Sequence, residues 1–277
     1  MAKDALLALA EAALQAERQF ILTLGGFALS IPGAVLLTHE KIPAPRFNFV
    51  TEVGVGPERQ TAFFERALDH YFQRAIRPTF RVANPPAPHV DLGLRRLGFR
   101  PREAPLGLLV EDPTAPAGAS EGVEVRRAIA TDLDQLVSFW TDPGERPELR
   151  TALDVAWHHP NPNEQLVPLI ASIAGTAVAG AVLYRYGEAA GIHFVATQPT
   201  ARGRGAASAV VGFARRERPT GAAPLSLFAD SPRLETHLRQ LGFVVARTFS
   251  VYDLPKDAEL ALPPPGPPGP PRWRPPR

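Results

Sequence analysis

Residues 192–211 read Ile192-His-Phe-Val-Ala-Thr-Gln-Pro-Thr-Ala-Arg-Gly-Arg-Gly-Ala-Ala-Ser-Ala-Val-Val211. An apolar strand, a glycine- and arginine-rich turn and a helix succeed one another here, and the helix opens on Gly205-Ala206-Ala207. Residues this small let a ligand approach the backbone, and the unpaired N–H groups of a helix N-terminus bind phosphate oxygens. Between Arg202 and Arg218 there are five arginines and one glutamate, a local charge of +4. These residues point to a polyphosphate ligand.

Outward from that stretch, apolar patterning predicts a helix from Thr131 to about Trp140, with Thr131 as its cap, and strands over Leu166–Ile173 and Ala177–Tyr184. Strand Gly191–Thr197 and helix Ala206–Arg218 come next. Strand Leu225–Ala229, helix Pro232–Leu241 and strand Val244–Leu254 complete this half. The first half shows a helical stripe over residues 4–18 and strands to about Val55. It continues with a helix from Pro57 to Arg74, strand Thr79–Ala83, a helix ending at Leu97-Gly98 and a strand near Leu106–Val110.

The two halves also overlap in sequence. Pro88-His-Val-Asp-Leu-Gly-Leu-Arg-Arg-Leu-Gly-Phe99 aligns without a gap with Pro232-Arg-Leu-Glu-Thr-His-Leu-Arg-Gln-Leu-Gly-Phe243, an offset of 144 residues. Val90, Leu94 and Leu97 fall on Leu234, Leu238 and Leu241, the register of an internal duplication. The other explanation is that Leu-Gly-Phe is a common helix end followed by a strand.

With 277 residues, 45% hydrophobic and 21% charged, the composition is globular and the length suits two domains. No cysteine is present, so disulfides, thiolate metal sites and cysteine nucleophiles are excluded. Nine of the 31 prolines lie in Pro263–Arg277, and removing that segment's three arginines takes the formal charge from +2 to −1. The basic balance therefore belongs to a tail expected to be extended polyproline II, and it is weak evidence for a nucleic-acid-binding fold. Gln19–Thr38 is uncharged over twenty residues, but Gly25-Gly26 and Pro32-Gly33 interrupt it, which suits buried strands and not a membrane span. The N-terminus lacks the pattern of a signal peptide, so a cytoplasmic protein is expected. The non-periodic stretch after Glu111 reads as a linker.

The pattern Arg202-x-x-Gly205-x-Ala207, following an apolar strand and Pro199, resembles the acyl-CoA pyrophosphate loop of the GNAT superfamily of N-acyltransferases, whose motif is Gln/Arg-x-x-Gly-x-Gly/Ala. The following strand and the Leu-Gly-Phe that closes the next helix stand at the distances this superfamily uses. The resemblance covers about residues 122–255, with a degenerate version of its second half in the N-terminal copy. It implies an α/β (α+β) GNAT fold, a mixed central sheet flanked by helices, duplicated with an incomplete N-terminal copy. The domains expected on this basis are 1–111, a degenerate GNAT-like domain; 112–121, a linker; 122–256, the acetyltransferase domain; and 257–277, a disordered Pro-rich tail.

The resemblance further implies that Val195, Ala196 and Thr197 pair through their backbone with a pantetheine arm. It makes Arg202, Gly203, Arg204, Gly205, Ala206 and Ala207 the pyrophosphate cradle, with Ser208 adding a hydroxyl. Acetyl-CoA is then the co-substrate, without a metal, and the activity an N-acetyltransferase working by direct attack in a ternary complex. The alternative is a non-catalytic GNAT-like protein that binds acyl-CoA or a protein partner. The family's usual acid is a tyrosine four residues before the glycine of Leu-Gly-Phe; Leu238 stands there.

For a base, His193 is the first choice, since an unperturbed imidazole titrates near pH 6.5 and suits a proton taken from an ammonium. The competing reading is an ordinary strand histidine. Glu188, Tyr184 and Tyr252 are weaker candidates, and His158-His159 lacks a third ligand at metal spacing. The partner expected is a small-molecule or peptide amine, with no nucleic acid and no membrane, and a homo-oligomer is left open. A third reading, a nucleic-acid module, would use the Arg202–Arg218 face and the tail.

Overall fold

The computed structural model describes residues 3–112, 122–140, 146–158, 164–218 and 224–255. Its first part holds α1 (Lys3–Thr23), β1 (Phe27–Ile31), β2 (Ala34–Thr38), β3 (Phe49–Thr51), α2 (Gln60–Phe72), β4 (Thr79–Ala83), α3 (Pro88–Arg96), β5 (Arg100–Pro101) and β6 (Leu106–Glu111). The remainder holds β7 (Glu124–Arg127), α4 (Leu133–Trp140), α5 (Arg146–His158), β8 (Glu164–Ile173), β9 (Thr176–Tyr186) and β10 (Ala189–Thr197). It ends with α6 (Ala206–Glu217), β11 (Leu225–Ala229), α7 (Pro232–Gln240) and β12 (Phe243–Asp253). The expected linker lies largely, and the expected tail wholly, outside the described residues.

Two compact units form, and neither follows the division expected from sequence at 112–121. Of the described residues, one unites those up to Leu24 with Gly107–Arg247, and the other unites Gly25–Leu106 with those from Thr248 on. The reason is physical. Helix α1 extends beyond the expected 4–18 because Phe20 and Ile21 continue its buried stripe of Ala10, Ala13 and Ala16, and that stripe packs on β9 and β10. Strand β6, buried along its whole length, pairs antiparallel with β11, Val110 opposite Ser226. Strand β12 passes from one unit to the other, and its second half pairs antiparallel with β4, Val251 opposite Arg81. Each half of the chain thus gives its last strand to the other half's unit.

In the first unit the strand order is β12-β6-β11-β10-β9-β8-β7, mixed because β10 and β11 run parallel. Its core is aliphatic, built on Leu169, Ala181, Leu183, Val210, Val211, Leu225 and Leu238. In the second the order is β1-β2-β3-β4-β12, with β3 and β4 parallel, and aromatic residues Phe63, Phe64, Tyr71, Phe80 and Phe99 fill the core.

The duplication extends to local geometry. Each unit runs parallel strand, 3₁₀ turn opened by proline (Pro57–Arg59, Pro199–Ala201), helix, parallel strand, helix. Leu97 and Leu241 end α3 and α7 at φ −83 with ψ 4 and 6. Gly98 and Gly242 follow at φ +86 and +84, a left-handed conformation open to glycine without steric cost. The i,i+4 pairs Asp91–Arg95 and Glu235–Arg239 recur on the two helices. The expected Thr131 cap is not observed: a 3₁₀ turn capped at Ile129 leads into α4, and the Asp132 carboxylate reaches back to accept the Ile129 N–H at 2.8 Å and is held by Arg126 at 2.6 Å.

Candidate active site

The site grows from the end of a ladder. Strands β10 and β11 pair only at Ala190–Leu225 and Gly191–Ser226, and beyond Gly191 they separate. On its other side β10 pairs with β9, but the register breaks between His193 and Ala196, so Phe194 and Val195 bulge out of that ladder. Phe194 sits at φ +56, in the left-handed region that costs a non-glycine residue about 1–3 kcal/mol. Its ring is held by Trp140 at 5.3 Å and Phe20 at 5.5 Å between centroids. Strain of this kind, held by packing, concentrates at working sites.

A groove of about 1310 Å³ opens where the strands part. Val195, Ala196 and Thr197 line it, as do Arg202, Gly203, Gly205, Ala206, Ala207 and Ser208, so nine of the ten residues expected to hold a coenzyme share one surface. The tenth, Arg204, is exposed and lies outside the lining residues. Gly203 and Gly205 adopt φ +78 and +81, and a Cβ placed on Gly203 would meet nothing within 4 Å. Gly205 caps α6 without a side chain, which leaves the first turn of that helix open to an outside acceptor. The opposite wall is α7, which contributes Arg233, Leu234, Thr236, His237 and Gln240.

The electrostatics differ from the expected +4 face. Arg215 and Arg218 bind Glu111 at 2.8 and 2.7 Å, Arg216 lies over the Phe213 ring, and Glu217 pairs with Arg127. These residues occupy the C-terminal end of α6, about 18 Å along the helix from its start. Arg202 and Arg204 alone of the five stand at the N-terminal end of α6, so the arginines do not form one continuous face.

His193, expected as the base, does not line the groove. Its ring stacks on Phe20, its Nε2 is buried without a hydrogen-bond partner, and burial pushes its pKa down to about 3. A base that weak and that covered does not take a proton from an ammonium near neutral pH. Tyr184 is fully buried with its hydroxyl 2.9 Å from Thr23 Oγ1, Tyr252 donates to Asp91 at 2.6 Å in the other unit, and Glu188 is exposed on a turn. Leu238 is 2% exposed in the core.

His237 is the residue sequence reasoning missed: its Nε2 lies 3.3 Å from Ser208 Oγ across the groove. A signal for it was available, because the duplicated segment sets Gly93 at the same register. In the second unit that glycine is required by space. A Cβ there would lie 1.8 Å from Gln60 Nε2 and 2.5 Å from the Phe64 ring, and Gln60 donates to the His89 carbonyl at 2.6 Å. Helices α2 and α3 therefore close the place that α6 and α7 leave open. Among the described residues no group of three potential metal ligands occurs, and no helix is long and apolar enough to cross a membrane. His158 Nδ1 lies 2.9 Å from the Asp154 carbonyl oxygen, and His159 falls outside the described residues.

Residues 129–228 match the sequence profile of the acetyltransferase (GNAT) family. Among solved structures, a GCN5-related N-acetyltransferase from Kribbella flavida superposes with a TM-score of 0.62 at 17% identity, over 88% of this chain and 95% of that one. A conserved protein of unknown function from Staphylococcus epidermidis gives 0.65 at 12%, over 83% and 95%. A tandem GNAT protein from the clavulanic acid biosynthesis pathway gives 0.51 at 12%, over 74% of each chain. These likenesses show the fold. No curated protein matches the chain.

Proposed function

From the premise that residues 129–228 form a GNAT acetyltransferase-family domain, we propose that the chain is an acetyl-CoA-dependent N-acetyltransferase acting on an amine by direct attack in a ternary complex. The observation that carries this is the groove that opens where β10 leaves β11, with the glycine-rich turn and the first turn of α6 at one end. The chain's own shape supports the fit. Gly203 leaves open space beside the turn, and the uncapped first turn of α6 offers N–H donors to a diphosphate.

Arg202 and those N–H groups would hold the diphosphate, with Ser208 adding its hydroxyl. The backbone of Val195–Thr197, unpaired with β11, would take a pantetheine arm as a strand takes its neighbour. When bound, the coenzyme supplies an activated thioester. The bulge turns the backbone at Val195 off the β9 ladder, and we assign its N–H to the developing oxyanion.

Among the described residues lining the groove there is one histidine and no carboxylate, lysine or tyrosine. With no such group among the described lining residues, the amine would react in its neutral form and give its proton to solvent, and the bound coenzyme would supply a thiolate of ordinary pKa about 8.5 as the leaving group. The second unit, with Gly93 packed shut against Gln60 and Phe64, acts as a degenerate partner without a coenzyme site. The cytoplasmic setting expected from sequence belongs to this reading.

The test is calorimetric titration with acetyl-CoA, with Gly205→Glu as the blocked control, followed by thiol-release assays on a panel of amines. Micromolar binding lost in Gly205→Glu, with thiol release that rises with pH toward the amine's own pKa, is the expected result. Binding without thiol release from any amine favours the second reading, a non-catalytic acyl-CoA-binding protein, which the burial of Leu238 at the usual acid position supports. Absence of binding overturns both.

A further inference from the structure

Strand β7 stops early against β8. Their ladder ends at Arg127 opposite Leu169, and the Ala128 N–H then donates to the Pro168 carbonyl at 2.8 Å. Pro168 has no N–H to return, whereas β8 continues along β9 as far as Glu164 opposite Tyr186. The last turn of α5 borders the stretch of β8 left unpaired on that side among the described residues. A cavity of about 250 Å³ remains there, lined by Arg127, Trp157, Gln165, Leu166 and Pro168 among others. None of its lining residues lines the groove. Trp157 is half-buried and brings a flat apolar ring. The other polar side chains bring donors. Arg127 gives Nε and Nη2 to the Glu217 carboxylate, and its Nη1 has no acceptor among the described residues. Gln165 accepts from Arg185 Nη1 at 2.5 Å. A guanidinium only donates, so the Gln165 oxygen faces it, and the amide NH2 has no acceptor among the described residues. No carboxylate is among the described residues lining the cavity.

The local charge has the same sense. Arg127 and Arg185 share one carboxylate, that of Glu217, so two cations meet one anion. Arg185 Nε is buried without a hydrogen-bond partner, and burial together with the Arg127 charge lowers the Arg185 guanidinium below its usual range, against the pull of Glu217. An anion beside Arg127 would offset that excess. We propose that this cavity is a second small-molecule site, which takes an aromatic carboxylate. The carboxylate accepts from Arg127 and the Gln165 amide, and the ring rests against Trp157, Leu166 and Pro168. A hydrogen bond in which both partners are ionised is roughly twice as strong as one between neutral groups, so the carboxylate is selected over an uncharged group of the same shape. The size also fits: a cavity of about 150 Å³ holds a benzene ring, and this one has room for that ring with a carboxylate attached. The inference does not depend on the acetyl-CoA reading.

The probe is benzoate, titrated into the full chain by ligand-observed NMR, with benzamide as its uncharged match in shape. A Kd on the order of 1 mM is expected for a ligand this small. Benzamide is expected to bind about tenfold more weakly, the size of one charge-assisted contact. Arg127→Gln, which keeps a hydrogen-bonding side chain without the charge, and Trp157→Ala, which removes the ring, should each weaken benzoate by about the same factor. Arg127 also holds Glu217, so if Arg127→Gln does not fold, Trp157→Ala decides alone. Benzoate binding that survives the substitutions at full strength lies elsewhere on the chain and overturns the inference. Equal binding of benzamide overturns the choice of a carboxylate, and absence of binding at about ten times the expected Kd overturns the site. None of these outcomes bears on coenzyme binding, which the titration with acetyl-CoA reads separately.

Discussion

The rings of Phe20 and His193 lie face to face, with centroids 3.9 Å apart and planes 11° from parallel. That contact ties the first helix of the chain to the strand that carries the groove. It also adjoins the strained Phe194, whose ring meets the same Phe20.

Phe20→Ala is expected to cost about 3–5 kcal/mol of folding stability, because a ring 3% exposed leaves a cavity under the bulge. Phe20→Leu keeps most of the volume and should cost less than about 1.5 kcal/mol. Chemical denaturation monitored by tryptophan fluorescence, with Trp140 stacked on Phe194, reads both. Equal midpoints for wild type and Phe20→Ala would show that α1 is not part of this core.

Acid should unfold the protein through two histidines that are neutral when folded. Burial lowers His193 from 6.5 to about 3, and burial together with Arg74 lowers His70 from 6.5 to about 4, against an opposing pull from Glu40. The unfolded chain therefore takes up these protons first, and stability falls as pH drops below 6.5, down to about 4 for His70 and about 3 for His193. Inside its window each histidine contributes a slope of up to about 1.4 kcal/mol per pH unit. Urea midpoints at several pH values measure this, and His193→Phe, which keeps a ring on Phe20, should flatten the dependence. An unchanged slope in that variant is the contrary result.

Gly93→Ala should destabilise the second unit by about 1–3 kcal/mol, since the new methyl meets Gln60 and Phe64. The gain in helix propensity, about 1 kcal/mol, offsets part of this. Adding Gln60→Ala should recover part of the loss despite the missing bond to the His89 carbonyl, and a double-mutant cycle gives the coupling. Additive effects would mean that α2 does not press on α3 at this point.

Glu111→Gln should be costly. The carboxylate is 6% exposed, holds Arg215 and Arg218, and accepts the Leu225 N–H at 3.2 Å. Neutralising it strands the buried Arg215 guanidinium, a loss of about 3–5 kcal/mol. A change below 1 kcal/mol, on the order of an exposed ion pair, would show that solvent reaches the triad.

Local signals carried most of the elements. Glycine and proline punctuation set the bounds of Thr79–Ala83 and Leu225–Ala229 as observed, and the residues of the turn that line the groove came from one contiguous stretch. Partnership did not show. Nothing local to Thr79–Ala83 says that its neighbour is Phe249–Asp253, because antiparallel pairing is decided by the alternatives a chain has for covering an edge. The role given to His193 failed for a related reason: its environment is set by Phe20, far away in sequence. His237 was legible only by comparing the two copies and asking why one has glycine.

The exchange of final strands imposes an order of assembly on a chain made from its N-terminus. Strand β4 is synthesised early, yet its antiparallel neighbour on β12 lies near the end of the described chain. The unit formed mostly by early residues therefore waits for one of the last strands. Until β12 emerges it presents an open edge at β4, and the groove-bearing unit, which receives α1 and β6 beforehand, presents one at β6. A nascent chain held on the ribosome before β12 has emerged should thus carry a first half that proteases cleave and chaperones hold, and emergence of β12 should protect it.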